Sequence, residues 1–176
     1  MNSRAAVILG AVLGTLGLPR LAAGQGPTAS VPAEAVIVTV GMTLTTVRDL
    51  SFGAVTQGVA TTVLPTAASA GAWQMTGNAN AFVSIAFALP TQLTNIQALP
   101  GSTMPITFSG TSAIWRRANS DPAGGNVFDP VAGATGRFGP PANPTLYIWI
   151  GGTVNPAPTA KPGIYEGTVV LSVTYL

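Results

Sequence analysis

Residues 165–176 read YEGTVVLSVTYL, and this stretch indicates the fold class more clearly than any other part of the chain. Its side chains alternate with a period of two, which is typical of a strand that buries one face. One face carries Val169, Leu171, Val173 and Tyr175, and the other carries Thr168, Val170, Ser172 and Thr174. The first set is the more apolar, so we predict a β-strand at this end of the sequence that packs those four residues into a core.

Further strand-like segments precede this one at short intervals. Residues 35–40 read AVIVTV, with Val36, Val38 and Val40 on one face. Residues 81–89 read AFVSIAFAL, and their predicted core face is Val83, Ile85, Phe87 and Leu89. Shorter strands are predicted over residues 43–55, 59–64, 72–76, 103–109, 113–116 and 146–150. Because Gly and Pro break nearly every window long enough for a helix, we predict an all-β, antiparallel sandwich with one domain over residues 35–176.

Residues 110–144 interrupt this rhythm. The segment is rich in Gly, Pro, Asn, Ala and Ser, and it also holds charged side chains, namely Arg116, Arg117, Asp121, Asp129 and Arg137. A segment of this length with little strand pattern is uncommon inside a compact domain and is often functional. We predict a long excursion on the surface of the sandwich.

Residues 1–24 have the pattern of a secretory signal peptide. Arg4 precedes an apolar run at residues 5–18, Pro19 ends that run, and small residues follow at positions 22–24. The run has 14 residues, whereas a membrane-spanning helix needs about 20. We therefore predict export to the periplasm, the outer surface or the medium, with no integral membrane segment after cleavage. An extended leader is predicted over residues 25–34.

The composition excludes several classes of function. Without residues 1–24 the chain has five basic and five acidic residues, so it offers no basic stripe for nucleic acid. It contains no Cys and no His, which excludes disulfides, Cys nucleophiles and His-based acid–base catalysis. Charged residues make up only 7% of the chain, and such a surface suits a protein that packs against copies of itself.

Two sets of oxygen-bearing side chains are candidates for chemistry. Asp49 and Glu166 could form a carboxylate pair for glycoside hydrolysis, but nothing in the sequence places them together. Asp121, Asn126 and Asp129 could supply oxygen ligands to calcium, but their spacing is not that of an EF-hand loop, and Asp and Asn are ordinary turn residues. We therefore expect no enzyme activity, no cofactor and no metal site.

Separated motifs give the chain a family resemblance. They are LSFG at residues 50–53, MTGNAN at 75–80, IGGTV at 150–154 and GIYEGT at 163–168. In this order and spacing they resemble the domain-of-unknown-function 4402 family, a group of exported bacterial domains. The resemblance implies an immunoglobulin-like sandwich and leaves the biochemical role open.

The end of the sequence is also similar to that of chaperone–usher pilin subunits. Tyr175 is penultimate, and Gly163 lies fourteenth from the end. This resemblance implies that the last strand pairs with an assembly chaperone and that the N-terminal extension of a partner subunit later completes the fold by strand addition.

These observations favour a structural subunit of a bacterial surface fibre or layer. It would associate with copies of itself or with related subunits, and it could need an assembly chaperone. An alternating strand at a sheet edge is open to such pairing. The edge strands expected to carry the contact contain Val36, Val38, Val40, Val169, Leu171, Val173 and Tyr175.

The alternative is a monomeric binding module in the periplasm or on the surface. Residues 110–144 would then hold a glycan, a metal ion or a protein, with Trp115, Arg116 and Arg117 as possible contacts. Tyr147 and Trp149 could join this patch. However, they alternate with Ile148 and Ile150, so one of the two pairs belongs to the core.

Overall fold

The computed structural model describes residues 28–31, 33–37, 41–97 and 102–176. These residues contain β-strands and no helix, so the all-β prediction is confirmed. Accordingly, none of them belongs to a helix that could cross a bilayer. The predicted signal peptide at residues 1–24 lies outside the described residues, as do Val38 and Val40.

Three sheets contain all the strands of the described residues. The strands are β1 (Thr28–Val31), β2 (Ala33–Ile37), β3 (Thr43–Arg48), β4 (Leu50–Ala54), β5 (Thr61–Val63), β6 (Gly71–Thr76), β7 (Phe82–Ala88), β8 (Gln92–Asn95), β9 (Thr103–Thr107), β10 (Ala113–Arg117), β11 (Asn126–Phe128), β12 (Ala134–Arg137), β13 (Thr145–Ile150), β14 (Gly152–Val154), β15 (Ile164–Glu166) and β16 (Val169–Tyr175). One sheet has the order β4-β1-β15-β8-β9-β14-β5, the second β11-β10-β13-β6-β3, and the third β12-β7-β16-β2.

The core lies on the inner faces of these sheets, as the alternating patterns predict. On β16, Val169, Leu171 and Val173 are buried, and the half-buried Tyr175 packs against the same cluster. On β7, Val83 and Ile85 are buried. The predicted inner faces of both strands are therefore confirmed. Burial of such residues stabilises the fold by roughly 25 cal/mol for each Å² of apolar surface removed from water.

Two strand pairs are parallel, whereas the other pairs among the described residues are antiparallel. β1 pairs with β15, and β2 pairs with β16, in both cases in parallel. Parallel strands cannot be joined by a tight hairpin, and these partners come from opposite ends of the described chain. The two segments that begin and finish the described fold therefore lie side by side.

The position of β16 differs from the sequence prediction of an edge strand. β7 pairs with one side of β16 and β2 pairs with the other, so β16 is an interior strand. β2, which contains Val36, stands at the end of its sheet. The alternation of β16 specified which face is buried, but it could not specify whether a second neighbour covers its hydrogen-bonding side.

Strands lie both in the predicted extended leader and in the segment predicted to be a surface excursion. β1 lies within the leader at residues 25–34, and its Ala29 and Val31 are buried in the main core. β10, β11 and β12 lie within residues 110–144, where only the first had been expected. Short strands with Gly at their ends show little alternation, because they are too short for a period to be recognised.

Candidate functional site

A groove lies on the outer face of the five-stranded sheet, and β13 forms its floor. Leu146, Ile148 and Ile150 of this strand point into the main core. Tyr147 and Trp149 point the other way, where Trp149 forms a separate cluster with Ala72 and Ile114. The alternation of β13 thus assigns the aliphatic residues to the core and the two aromatic residues to the groove.

The two aromatic rings of the floor are nearly parallel. The ring centroids of Tyr147 and Trp149 lie 6.0 Å apart, with an angle of 17° between the ring planes. Trp149 is almost fully buried, and Tyr147 is half-buried. Gln74 lies beside them, because its β6 position is in register with Tyr147. The floor therefore combines a stacked aromatic pair with an amide side chain.

One wall of the groove is formed by the end of β3 and by residues 66–68. The pairing of β3 with β6 is irregular between Thr46 and Arg48, and an extra residue at such a bulge redirects the neighbouring side chains. The Nε of Arg48 donates a hydrogen bond of 2.8 Å to the carbonyl oxygen of Ala70. This bond ties the wall to the loop that precedes β6.

The opposite wall is the loop between β10 and β11. Arg116 holds this loop, since its Nη1 donates hydrogen bonds to the carbonyl oxygens of Asp121, at 2.9 Å, and of Ala123. Asp121 Oδ1 accepts a hydrogen bond of 2.9 Å from the Ala123 amide. Ser120 and Pro122 of the loop line the groove, whose volume is about 480 Å³.

The three residues predicted as one contact patch point in different directions. Trp115 is half-buried and packs against the main core, so its role as a surface contact stays a prediction. Successive residues of a strand face opposite sides of the sheet, and Trp115 is paired with Ile148, whereas Arg116 is paired with Tyr147. Arg116 therefore lies on the groove side, while Arg117 is exposed on the other.

Several groove residues were not identified from the sequence. Gln74, Ser120 and the small residues at 66–68 carry no pattern that distinguishes them from ordinary strand and loop residues. The one sequence pattern that pointed to the groove was the alternation of β13, which allowed Tyr147 and Trp149 to face away from the core as a pair. The groove is assembled from segments that are distant in sequence, so its walls could not be inferred from local patterns.

Two of the candidate calcium ligands, Asp121 and Asp129, accept hydrogen bonds from backbone amides of their own loops. Asp121 Oδ1 accepts the Ala123 amide, and Asp129 Oδ1 accepts the Val131 amide, both at 2.9 Å. Within the described ranges, no group of three or more His, Cys, Asp or Glu residues is arranged to hold a metal ion. Asp49 lies between β3 and β4, and Glu166 is the last residue of β15.

Two of the motifs noted in the sequence meet at one place in the fold. The Asn78 amide donates a hydrogen bond of 2.8 Å to the hydroxyl oxygen of Tyr175. The ring of Phe138 lies beside Tyr175, with centroids 5.9 Å apart. The MTGNAN motif at the end of β6 and the penultimate Tyr are therefore parts of one contact that fixes the end of β16.

A comparison with protein families identifies a match over most of the chain. The model of the family described as Domain of unknown function (DUF4402) matches residues 42–175. This range includes every groove residue and begins after β2. No curated protein matches the chain.

Proposed function

We propose that this chain, which belongs to the Domain of unknown function (DUF4402) family, is an exported structural subunit of a bacterial surface fibre or layer. The subunits would associate through the strand pairing between β2 and β16. Copies of the same chain, or related subunits, would be the partners.

The observation that carries this proposal is the position of β1 and β2 relative to the family domain. Both strands precede residue 42, where the family match begins. β1 nevertheless places Ala29 and Val31 in the main core, where both are at most 1% exposed. β2 covers one side of β16 over Val169–Val173. The matched domain alone would leave this core and this strand uncovered.

The covering strand could come from the same chain or from a neighbour. β2 ends at Ile37 and β3 begins at Thr43, so residues 38–42 connect the covering strand to the rest of the domain. Exchange of an identical element between copies is a low-cost way to form an assembly, because each contact in the assembly is already satisfied in the monomer. A chain of such exchanges that does not close produces a fibre.

The composition agrees with this proposal. The chain has seven basic and five acidic residues among 176, so few charges oppose packing between copies. β2 also stands at the end of its sheet, and a strand in this position presents backbone groups to which another strand can pair.

Electron microscopy of material sheared from the cell surface tests the proposal. Filaments or sheets that contain this chain, identified by mass spectrometry and by a specific antibody, are expected. Cells in which residues 28–37 are deleted should lack them, while cells with Gly110→Ala should keep them. If the wild-type chain is found only as a monomer in the periplasm or medium, the fibre proposal is wrong and the monomeric binding module is favoured.

A further inference from the structure

We propose that the groove on the outer face of the five-stranded sheet binds a saccharide without charged substituents. The groove lies on the five-stranded sheet, whereas β2 and β16 belong to the four-stranded sheet. The inference therefore holds for a monomer and for an assembled subunit alike.

The aromatic floor is the first argument. The C–H groups on the face of a sugar ring carry a small positive charge, and they are attracted to the negative face of an aromatic ring. Tyr147 provides such a ring, and the almost fully buried Trp149 lies nearly parallel to it, with the ring centroids 6.0 Å apart. Tyr147 remains half-buried, so part of its surface is open to a ligand, and Trp149 supports it from the sheet.

The polar side chains around the floor are the second argument. Gln74, Thr66 and Ser120 line the groove together with one charged side chain, that of Arg48. Amide and hydroxyl groups both donate and accept hydrogen bonds, which matches the hydroxyl groups of a sugar. A volume of about 480 Å³ lies within the range of roughly 300–1,000 Å³ that is usual for small-molecule sites.

The walls are already held in place, which is the third argument. Arg116 bonds to two carbonyl oxygens of the β10–β11 loop, and Arg48 bonds to Ala70 on the other side. Asn119 adds a hydrogen bond of 2.9 Å from the Asp121 amide to its Oδ1. A preformed site loses little conformational entropy when a ligand enters, and this raises its affinity.

The full mature chain, tested on an array of immobilised oligosaccharides, provides the experiment. The array should include neutral, sialylated and sulfated glycans, and each positive glycan should be titrated in solution by calorimetry. The expected result is binding to at least one neutral glycan. Tyr147→Thr should weaken this binding at least tenfold, because the change removes the aromatic ring. Thr is chosen because it is a residue that favours β-strands.

A second variant avoids the risk that Tyr147→Thr disturbs the sheet. Ala68 is exposed and lines the groove, so Ala68→Trp should fill the site without entering the core. Its matched control is Ala60→Trp, at another exposed loop position. The control for the aromatic change is Phe82→Thr, on β7, where Phe82 is 53% exposed. Both controls should bind as the wild type does.

The outcomes separate this inference from the proposed function. Loss of binding in Tyr147→Thr and Ala68→Trp, with unchanged thermal unfolding, supports the saccharide site whether or not filaments form. Absence of binding to every neutral glycan at millimolar concentration overturns it. Binding that is confined to sialylated or sulfated glycans, or that both groove variants retain, also overturns it.

Discussion

Gly77 occupies a position where no larger residue fits. A Cβ atom at this residue would lie 2.6 Å from the Cζ of Phe138 and 2.6 Å from the hydroxyl oxygen of Tyr175. Both partners are fixed, since Phe138 is buried and Tyr175 bonds to Asn78. The glycine of the MTGNAN motif therefore permits the close approach of the last strand.

The first prediction concerns this contact. Gly77→Ala should lower the free energy of unfolding by about 1–3 kcal/mol, the usual effect of inserting a methyl group into a packed region. Gly110→Ala is the matched control, because the nearest atom to a Cβ there is 3.9 Å away. Urea denaturation measures the free energy of unfolding of both variants. Equal stability of the two variants would show that Phe138 and Tyr175 move aside freely.

The hydroxyl group of Tyr175 gives the second prediction. Tyr175→Phe removes the acceptor of the 2.8 Å hydrogen bond from the Asn78 amide, and it should lower the free energy of unfolding by about 0.5–1.5 kcal/mol. Tyr147→Phe removes a hydroxyl group in the groove, and it should change stability by less than about 0.5 kcal/mol. Thermal unfolding experiments compare the stability of the two variants. A larger loss in Tyr147→Phe would contradict the assignment of Tyr175 as the residue that fixes the end of β16.

At the scale of elements, the parallel pair of β2 and β16 is the part of the fold most closely linked to the proposed assembly. Val36 and Ser172 are partners in its register, and neighbouring strands lie about 4.7–4.9 Å apart. This separation is within the Cα distance of about 4.4–6.8 Å that a disulfide spans. Because the chain has no Cys of its own, any disulfide that forms must join the engineered Cys residues.

The third prediction uses that pair. In chains with Val36→Cys and Ser172→Cys, oxidation of surface material should produce a ladder of covalently joined subunits, because β2 pairs with β16 of a neighbour in the proposed fibre. Non-reducing gels with mass spectrometry measure the ladder. Each single-Cys variant serves as the control and should give no more than dimers. A disulfide confined to single chains would show that the strand is not exchanged.

At the scale of the whole molecule, the first described residues complete a fold whose family domain begins at residue 42. Ala29 and Val31 belong to the same core cluster as Trp73, Tyr165 and Leu171. Loss of β1 and β2 would expose apolar surface and unpaired backbone groups together, and both effects destabilise the folded state.

The fourth prediction tests this dependence. A chain reduced to residues 42–176 should aggregate or unfold at a lower temperature than the chain from residue 25. A synthetic peptide of residues 28–41, added in excess, should raise its unfolding temperature, since a ligand that binds only the folded state stabilises it. A scrambled peptide is the control. An unfolding temperature that is unaffected by the truncation would remove the main support for strand exchange.

The fold class and the buried faces of the longer strands could be predicted from the amino-acid sequence. Alternation on β16 identified Val169, Leu171 and Val173 as core residues, and alternation on β7 did the same for Val83 and Ile85. Such patterns are local, because a period of two is imposed by the geometry of a single strand. The ordered motifs also identified the family, which the match over residues 42–175 confirms.

The neighbours of each strand and the place of the groove became known from the tertiary structure alone. The pairing of β2 with β16 joins distant parts of the chain, and it makes a predicted edge strand an interior one. In the groove, Arg48, Gln74, Ser120 and Tyr147 come from four separate segments. Hydrogen bonds between strands depend on long-range pairing rather than on the local period, so no single stretch of the sequence contains this information.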